Sequence, residues 1–252
     1  MAYGTEMFKQ HFRDFAEQYV LIGGTACDLL LNEAGMPFRA TKDIDMVLVV
    51  EALTTDFAKS FWQFIDEGGY TARQRSNGQP EFYRFVEPIT VGYPAMLELF
   101  ARPGSGVEFS YTGHLMPLHI NDEVSSLSAI LLNDSYYDFL LGGRTISEGI
   151  SVLDAAHLIP MKMKAWIDLT EQKSKGIHVN DRDLRKHRQD VFRLFPLITG
   201  DEEIIVPTQV HEDIQSFIET VETLPFEPKN IGIKAGKEDI LNVYRTIYRV
   251  NE

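Results

Sequence analysis

Apolar residues along this chain change their spacing near residue 150. Before that point they come in short alternating or continuous runs, and after it they recur every three or four positions. Phe8, Phe12 and Phe15 predict an amphipathic helix over residues 4–18. Residues 19–22 read as a strand, 25–32 as a helix capped by Thr25, and 43–50 as a second strand. A helix over 53–67 is ended by Gly68 and Gly69. Strands follow at 81–85, 95–101 and 115–120, separated by turns with glycine and proline. Residues 126–141 read as a strand or two before a Gly142-Gly143 turn. Four helices come next, over 153–170, 181–195, 208–224 and 237–250, and the polar stretch 169–180 reads as mobile. The pattern predicts an α+β chain: a mixed β-sheet with flanking helices over residues 1–148, then a helical domain over 149–252.

One stretch within this pattern carries chemistry, YVLIGGTACDLLLNEAGMPFRATKDIDMVLVV at residues 19–50. Asp43 and Asp45 are two apart on a strand, so they face the same way. Two carboxylates aimed at one spot repel each other unless a cation sits between them, and a divalent metal is the usual answer. Gly23 and Gly24 lie between a strand and a helix N-terminus, a ready place for phosphate. Either feature alone is weak, because Gly-Gly turns and solvent-facing acids are common. Ile44 and the run from Met46 to Val50 are apolar, however, so the acids begin a buried element rather than line a wet face.

Composition and charge narrow the classes. The chain has 252 residues, 44% hydrophobic and 24% charged, ordinary for a globular protein with one large or two modest domains. No apolar run reaches the ~18 residues of a membrane span, and the first residues lack a signal-peptide plan. The single cysteine, Cys27, excludes an internal disulfide and a cysteine-based metal site, and a cytoplasmic location is expected. The seven histidines show no metal-ligand spacing. A net charge of −13 argues against indiscriminate nucleic-acid binding. Residues 162–193 differ, with nine Lys or Arg against five acids, so this segment is +4 and the rest −17. A solvated helical face accounts for such a run; so does a wall facing a polyanion.

Together, LIGGTA and RATKDIDMVL resemble the nucleotidyltransferase fold of the DNA polymerase β superfamily. More narrowly they resemble the AbiEii-type nucleotidyltransferases, the toxin half of bacterial toxin–antitoxin pairs. Arg39, Thr41, Asp43, Ile44 and Asp45 match that family's R-x-T-x-D-I-D pattern. The family places a lysine, followed three residues later by alanine, on the first helix after the α/β domain; Lys162 and Ala165 match it here. A K-D-x-x-D motif on the next helix is met by Lys186 and Asp190, with His187 in place of the first aspartate. The likeness covers residues 19–195 and leaves the last 57 without a motif.

The resemblance implies an enzyme that moves a nucleoside monophosphate from an NTP to an acceptor and releases pyrophosphate. It implies Asp43 and Asp45 as ligands of Mg²⁺ or Mn²⁺, and Gly23, Gly24 and Thr25 as the triphosphate cradle beside Arg39 and Thr41. It implies a third carboxylate on a neighbouring strand, for which Glu98 is the candidate and Glu108 the alternative. Lys162 would neutralise the triphosphate from the helical side, with Asp190 orienting it or a ribose, and Lys186 joining them. The expected place of the site is a cleft between the two domains. Snorkelling explains Lys162 and Lys164 without a ligand, and a helical ion pair explains Lys186 and Asp190. The acceptor is left open between tRNA or another nucleic acid, a protein, and an aminoglycoside-like small molecule. An antitoxin protein is a further implied partner, and a membrane is not. A nucleotide-binding protein that keeps the fold without catalysis is the reading from outside enzymes.

Overall fold

The computed structural model describes residues 3–74, 80–100 and 133–250. They form two compact units, interleaved in sequence. The first takes the described residues up to Phe100 together with Arg144–Leu153, and the second takes residues 133–143 and 154–250. The predicted strand at 115–120 and Glu108 lie outside the described residues.

The first unit is built on a seven-stranded mixed sheet. Its strands are β1 (Tyr19–Ile22), β2 (Asp43–Leu48), β3 (Thr71–Gln74), β4 (Pro80–Val86), β5 (Met96–Phe100), β6 (Arg144–Ser147) and β7 (Ile150–Leu153). They run in the order β3-β4-β5-β2-β1-β7-β6, with β1–β7 and β2–β5 parallel and the other neighbours antiparallel. Helices α1 (Thr5–Phe12), α2 (Gly23–Glu33) and α3 (Thr55–Gly68) accompany the sheet. Phe8, Phe12, Phe57, Phe61 and Phe64 pack with Tyr19 and Phe85 as a continuous aromatic layer on one sheet face. Their burial supplies the main driving force of this unit. Tyr19 and Phe85 sit at alternate strand positions to Asp45 and Arg84, so the acids emerge on the opposite face.

Several boundaries differ from the sequence pattern. The first helix stops at Phe12, and residues Arg13–Gln18 tighten into 3₁₀ turns with a kink at Phe15. Helix α2 begins at Gly23, so Ile22 takes the N-cap position with no side-chain cap, and Thr25 falls inside the first turn. Thr54 caps α3 by accepting from the Phe57 N–H, and Gly69 closes it in the left-handed conformation at φ 62°. The hairpin β6–β7 was not foreseen. Its turn residues Glu148 and Gly149 both have positive φ, 50° and 83°, the backbone that a two-residue hairpin turn needs.

The second unit is helical: α4 (Asp134–Gly142), α5 (Ala155–Ser174), α6 (Asp181–Leu194), α7 (Thr208–Glu222) and α8 (Lys237–Ile247). The tyrosines and phenylalanine of α4 suggest strand, yet Asn133 caps this segment as a helix by accepting from the Ser135 N–H. Helix α5 continues to Ser174 with a Glu171–Lys175 ion pair at 2.8 Å, so the polar stretch expected to be mobile is partly helical. Tyr248–Val250, predicted as helix, instead forms β9, a parallel two-stranded sheet with β8 (Ile204–Val206). Trp166 meets Phe217 edge-on, and the Tyr244 and Tyr248 hydroxyls donate to the Val191 and Ala156 carbonyls. Among the described residues no helix is long and apolar enough to cross a membrane.

Candidate functional site

The candidate residues of the first unit gather where β1 turns into α2. The ladder pairs Ile22 with Asp45, Asp45 with Glu98, and Glu98 with Arg84. Paired residues on adjacent strands share a face, so one transverse row reads apolar, acid, acid, cation. Asp43 precedes Asp45 by two and lies on the same face, opposite Met96. Both aspartates are half-buried, while Glu98 is only 8% exposed. Strand β5 runs between β2 and β4, so Glu98 is inside the sheet and not on a solvent edge.

Gly23 follows Ile22 directly and holds φ 71°. A Cβ added there would sit 1.7 Å from Asp45 Oδ2, so the aspartate carboxylate packs against bare backbone. The same test at Gly24 meets Thr41 Oγ1 at 3.1 Å and Arg39 Nη2 at 3.3 Å. The Arg39 guanidinium lies over the Phe38 ring, 4.8 Å from its centroid. The two glycines are thus ringed by Arg39, Thr41 and Asp45, residues some twenty positions away in sequence. Thr25 is fully buried, and its hydroxyl donates to the Asp43 carbonyl at 2.6 Å. It fastens α2 to β2 rather than offering that proton to a ligand.

Electrostatics in the row follow from burial. The Glu98 carboxyl is pushed up from its ordinary 4.5 to about 8, first by burial and then by the charge of Asp45, with Arg84 opposing. The carboxyls of Glu98 and Asp45 are hydrogen-bonded to each other, which further favours a proton on Glu98. Arg84 donates from Nε to Glu98 Oε1 at 2.5 Å and adds Nη2 to the same oxygen. The β4–β5 register brings Arg84 directly opposite Glu98.

No protein-family model matches this chain, and no curated protein matches it.

Oxygen donors of Asp43 and Asp45 suit a hard divalent ion, whose charge would relieve their mutual repulsion. Among the described residues, no three His, Cys, Asp or Glu converge as a ready metal site. Glu98 is the acid that could complete such a set, and Arg84 draws one of its oxygens the other way.

The remaining candidates belong to the second unit. Lys162 on α5 is 1% exposed and Asp190 on α6 is 0% exposed. Lys162 Nζ donates to Asp190 Oδ2 at 3.3 Å, and Arg193 Nη1 approaches the other oxygen at 3.5 Å. Asp190 therefore takes Lys162 and Arg193 as ion-pair partners. Lys186 is half-buried, and His187 is buried on the same helix. Lys164 joins a network unsuspected from sequence, bonding Asp168 at 2.9 Å and Asp213 at 3.4 Å. Tyr136 donates to the second oxygen of Asp213 at 2.8 Å. Burial works against the Lys164 charge, but Asp168 and Asp213 outweigh it and raise its proton affinity. Much of the basic segment is neutralised in this way. Lys162, Lys164, Lys173, Lys175 and Arg193 all pair with carboxylates. Arg188 lies over the Phe226 ring at 4.7 Å.

Proposed function

We propose that the protein is a metal-dependent nucleotidyltransferase, moving a nucleoside monophosphate from an NTP to an acceptor. The observation that carries this reading is the packing of the Asp45 carboxylate against Gly23, where a Cβ would come within 1.7 Å. A ligand at these acids therefore lies against bare backbone at the head of α2. That backbone offers N–H groups at the positive end of the helix. Asp43 and Asp45 would hold Mg²⁺ or Mn²⁺, and Glu98 would join them or serve the attacking group as base. The bound ion would supply charge neutralisation at the attacked phosphorus and at the departing pyrophosphate. Arg39 lies over Gly24, and its fixed positive charge suits a phosphate oxygen. Thr41 adds a hydroxyl beside it. The resemblance to AbiEii-type toxins extends the proposal to a nucleic-acid acceptor such as tRNA, or a protein, and to an antitoxin partner. Lys162 and Asp190 enter only through that resemblance; within their own unit they neutralise each other.

The test is direct. The wild type, incubated with Mg²⁺ and each NTP in the presence of total RNA, protein or aminoglycosides, should release pyrophosphate with one acceptor class. Asp43→Asn combined with Asp45→Asn should reduce that release by 10³-fold or more, on the order expected for lost charge stabilisation, with an unchanged far-UV circular dichroism spectrum. Turnover that survives the double substitution defeats the proposal. A second reading, a nucleotide-binding protein without catalysis, draws on the engagement of Glu98 by Arg84. Calorimetric NTP binding with no pyrophosphate release from any acceptor would select it.

A further inference from the structure

The cations of residues 162–193 divide into two groups. Lys162, Lys164, Lys173, Lys175 and Arg193 pair with carboxylates. Those that remain, Arg182, Arg185, Lys186 and Arg188, all lie on α6 between positions 182 and 188. Among the described residues none of them forms an ion pair with a carboxylate. Arg182, Arg185 and Lys186 are three and four apart, so they share one face of the helix. Both arginines are exposed and Lys186 is half-buried. Asp183 turns about 100° away from Arg182, and the Asp181 carboxylate is already held by Lys173. Arg182 also stands in the first turn, where the helix dipole adds positive charge rather than opposing it.

Arg188 carries an independent sign. Its guanidinium lies over the Phe226 ring at 4.7 Å, and its Nε is buried with no hydrogen-bond partner among the described residues. Burial, and then the charge of Arg185, lower its hold on the proton. The ring offsets part of that cost, yet the buried donor is still unmet. Arg188 stands three beyond Arg185, so one anion beside this stretch of α6 would answer both charges. Guanidinium forks bind phosphate oxygens in pairs, and cations repeated along a helix suit phosphates repeated along a strand.

We infer that this face of α6 is a docking surface for the phosphate backbone of a nucleic acid, with Arg182, Arg185, Lys186 and Arg188 as its contacts. Phosphate contacts carry no base sequence, so the surface supplies affinity and orientation rather than recognition. The charge of −17 outside the 162–193 segment repels a polyanion elsewhere and confines it to this face. Docking of this kind needs neither a metal nor an NTP, so it stands or falls apart from the chemistry proposed above.

Fluorescence anisotropy of a labelled single-stranded RNA of mixed sequence, titrated with the full chain across a salt series without divalent ions, tests it. Four phosphate contacts to a single strand give a slope of log K against log salt of about −3. Arg182→Gln combined with Arg185→Gln should weaken binding about ten-fold and halve that slope, with an unchanged far-UV circular dichroism spectrum. Arg188→Gln alone should lower the slope by about 0.7. Lys175→Gln, whose cation already serves Glu171, should leave the slope where it was. Absence of RNA binding, or a slope unchanged in the folded double variant, overturns the docking surface. An equal fall in slope for Lys175→Gln overturns it too, since bulk charge would then account for binding. Poly-glutamate that displaces the RNA as well as an unlabelled strand of equal charge overturns the assignment to phosphate.

Discussion

Burial and Asp45 raise the proton affinity of Glu98 against the pull of Arg84, and this has a measurable cost. In the unfolded chain its carboxyl titrates near 4.5, whereas in the folded protein burial and Asp45 raise it to about 8. Between these values the native state keeps a proton that the unfolded state releases. Stability from this group is therefore complete below 4.5 and declines as pH rises through about 8. Glu98→Gln stays neutral throughout, so it should flatten the decline in metal-free protein. Urea midpoints measured across this range should show the variant overtaking the wild type at the alkaline end. Parallel pH profiles would rule out the raised carboxyl. At this scale the sequence was informative about identity but not about engagement. Asp43 and Asp45 stand out as acids that begin an apolar strand, and Glu98 enters as the third carboxylate that the resemblance implies. That Thr25 would spend its hydroxyl on the Asp43 carbonyl, or that Arg84 would choose Glu98, depends on strand register, which no local pattern encodes.

Among the elements, the α5–α6 pair carries the clearest energetic question. Lys162 and Asp190 are buried together as an ion pair, with Arg193 against the second Asp190 oxygen. Asp190→Leu alone should destabilise the protein by about 3–5 kcal/mol, since it removes the carboxylate that pairs with the buried Lys162. Lys162→Met combined with Asp190→Leu should recover most of that loss in urea unfolding, because a well-packed apolar pair replaces a desolvated ionic one. A double variant no more stable than Asp190→Leu would mean that the pair is not the energetic unit. Long, strongly periodic helices such as α3, α6 and α7 were legible in sequence with end errors of a few residues. Helix α4 was missed because aromatic residues bias toward strand, although Asn133 followed by Asp134 is a readable cap. The β6–β7 hairpin was missed because glutamate rarely occupies the left-handed turn position that Glu148 takes. The alternating run RTIS-EG-ISVL was the available signal.

At the level of the molecule, the chain enters the second unit with α4, returns to the first for β6 and β7, and leaves again. A single cut between residues 148 and 149 therefore falls inside a hairpin turn. A chain ending at Glu148 keeps β6 but lacks β7, and β1 then loses its parallel neighbour. Its first unit should melt without a cooperative transition, while a chain ending at Asp154 should regain one by thermal circular dichroism. Equal behaviour of the two would show that β7 is dispensable. The charge distribution also reads differently at this scale. The +4 segment spends five of its nine cations on carboxylates, so it is a poorer anchor for a polyanion than its composition suggests.

The return of β7 to the first sheet has a consequence for how the protein is made. Strand β1, which ends at Ile22, must wait for a partner that begins at Ile150. At about 5–20 residues per second a ribosome needs on the order of 6–25 s to supply the intervening stretch. Throughout that interval one side of β1 presents open N–H and C=O groups next to the glycine turn. An edge in that state recruits other nascent strands. The same threading that brings the hairpin home late makes the heart of the candidate site the last part of its sheet to be sealed during synthesis.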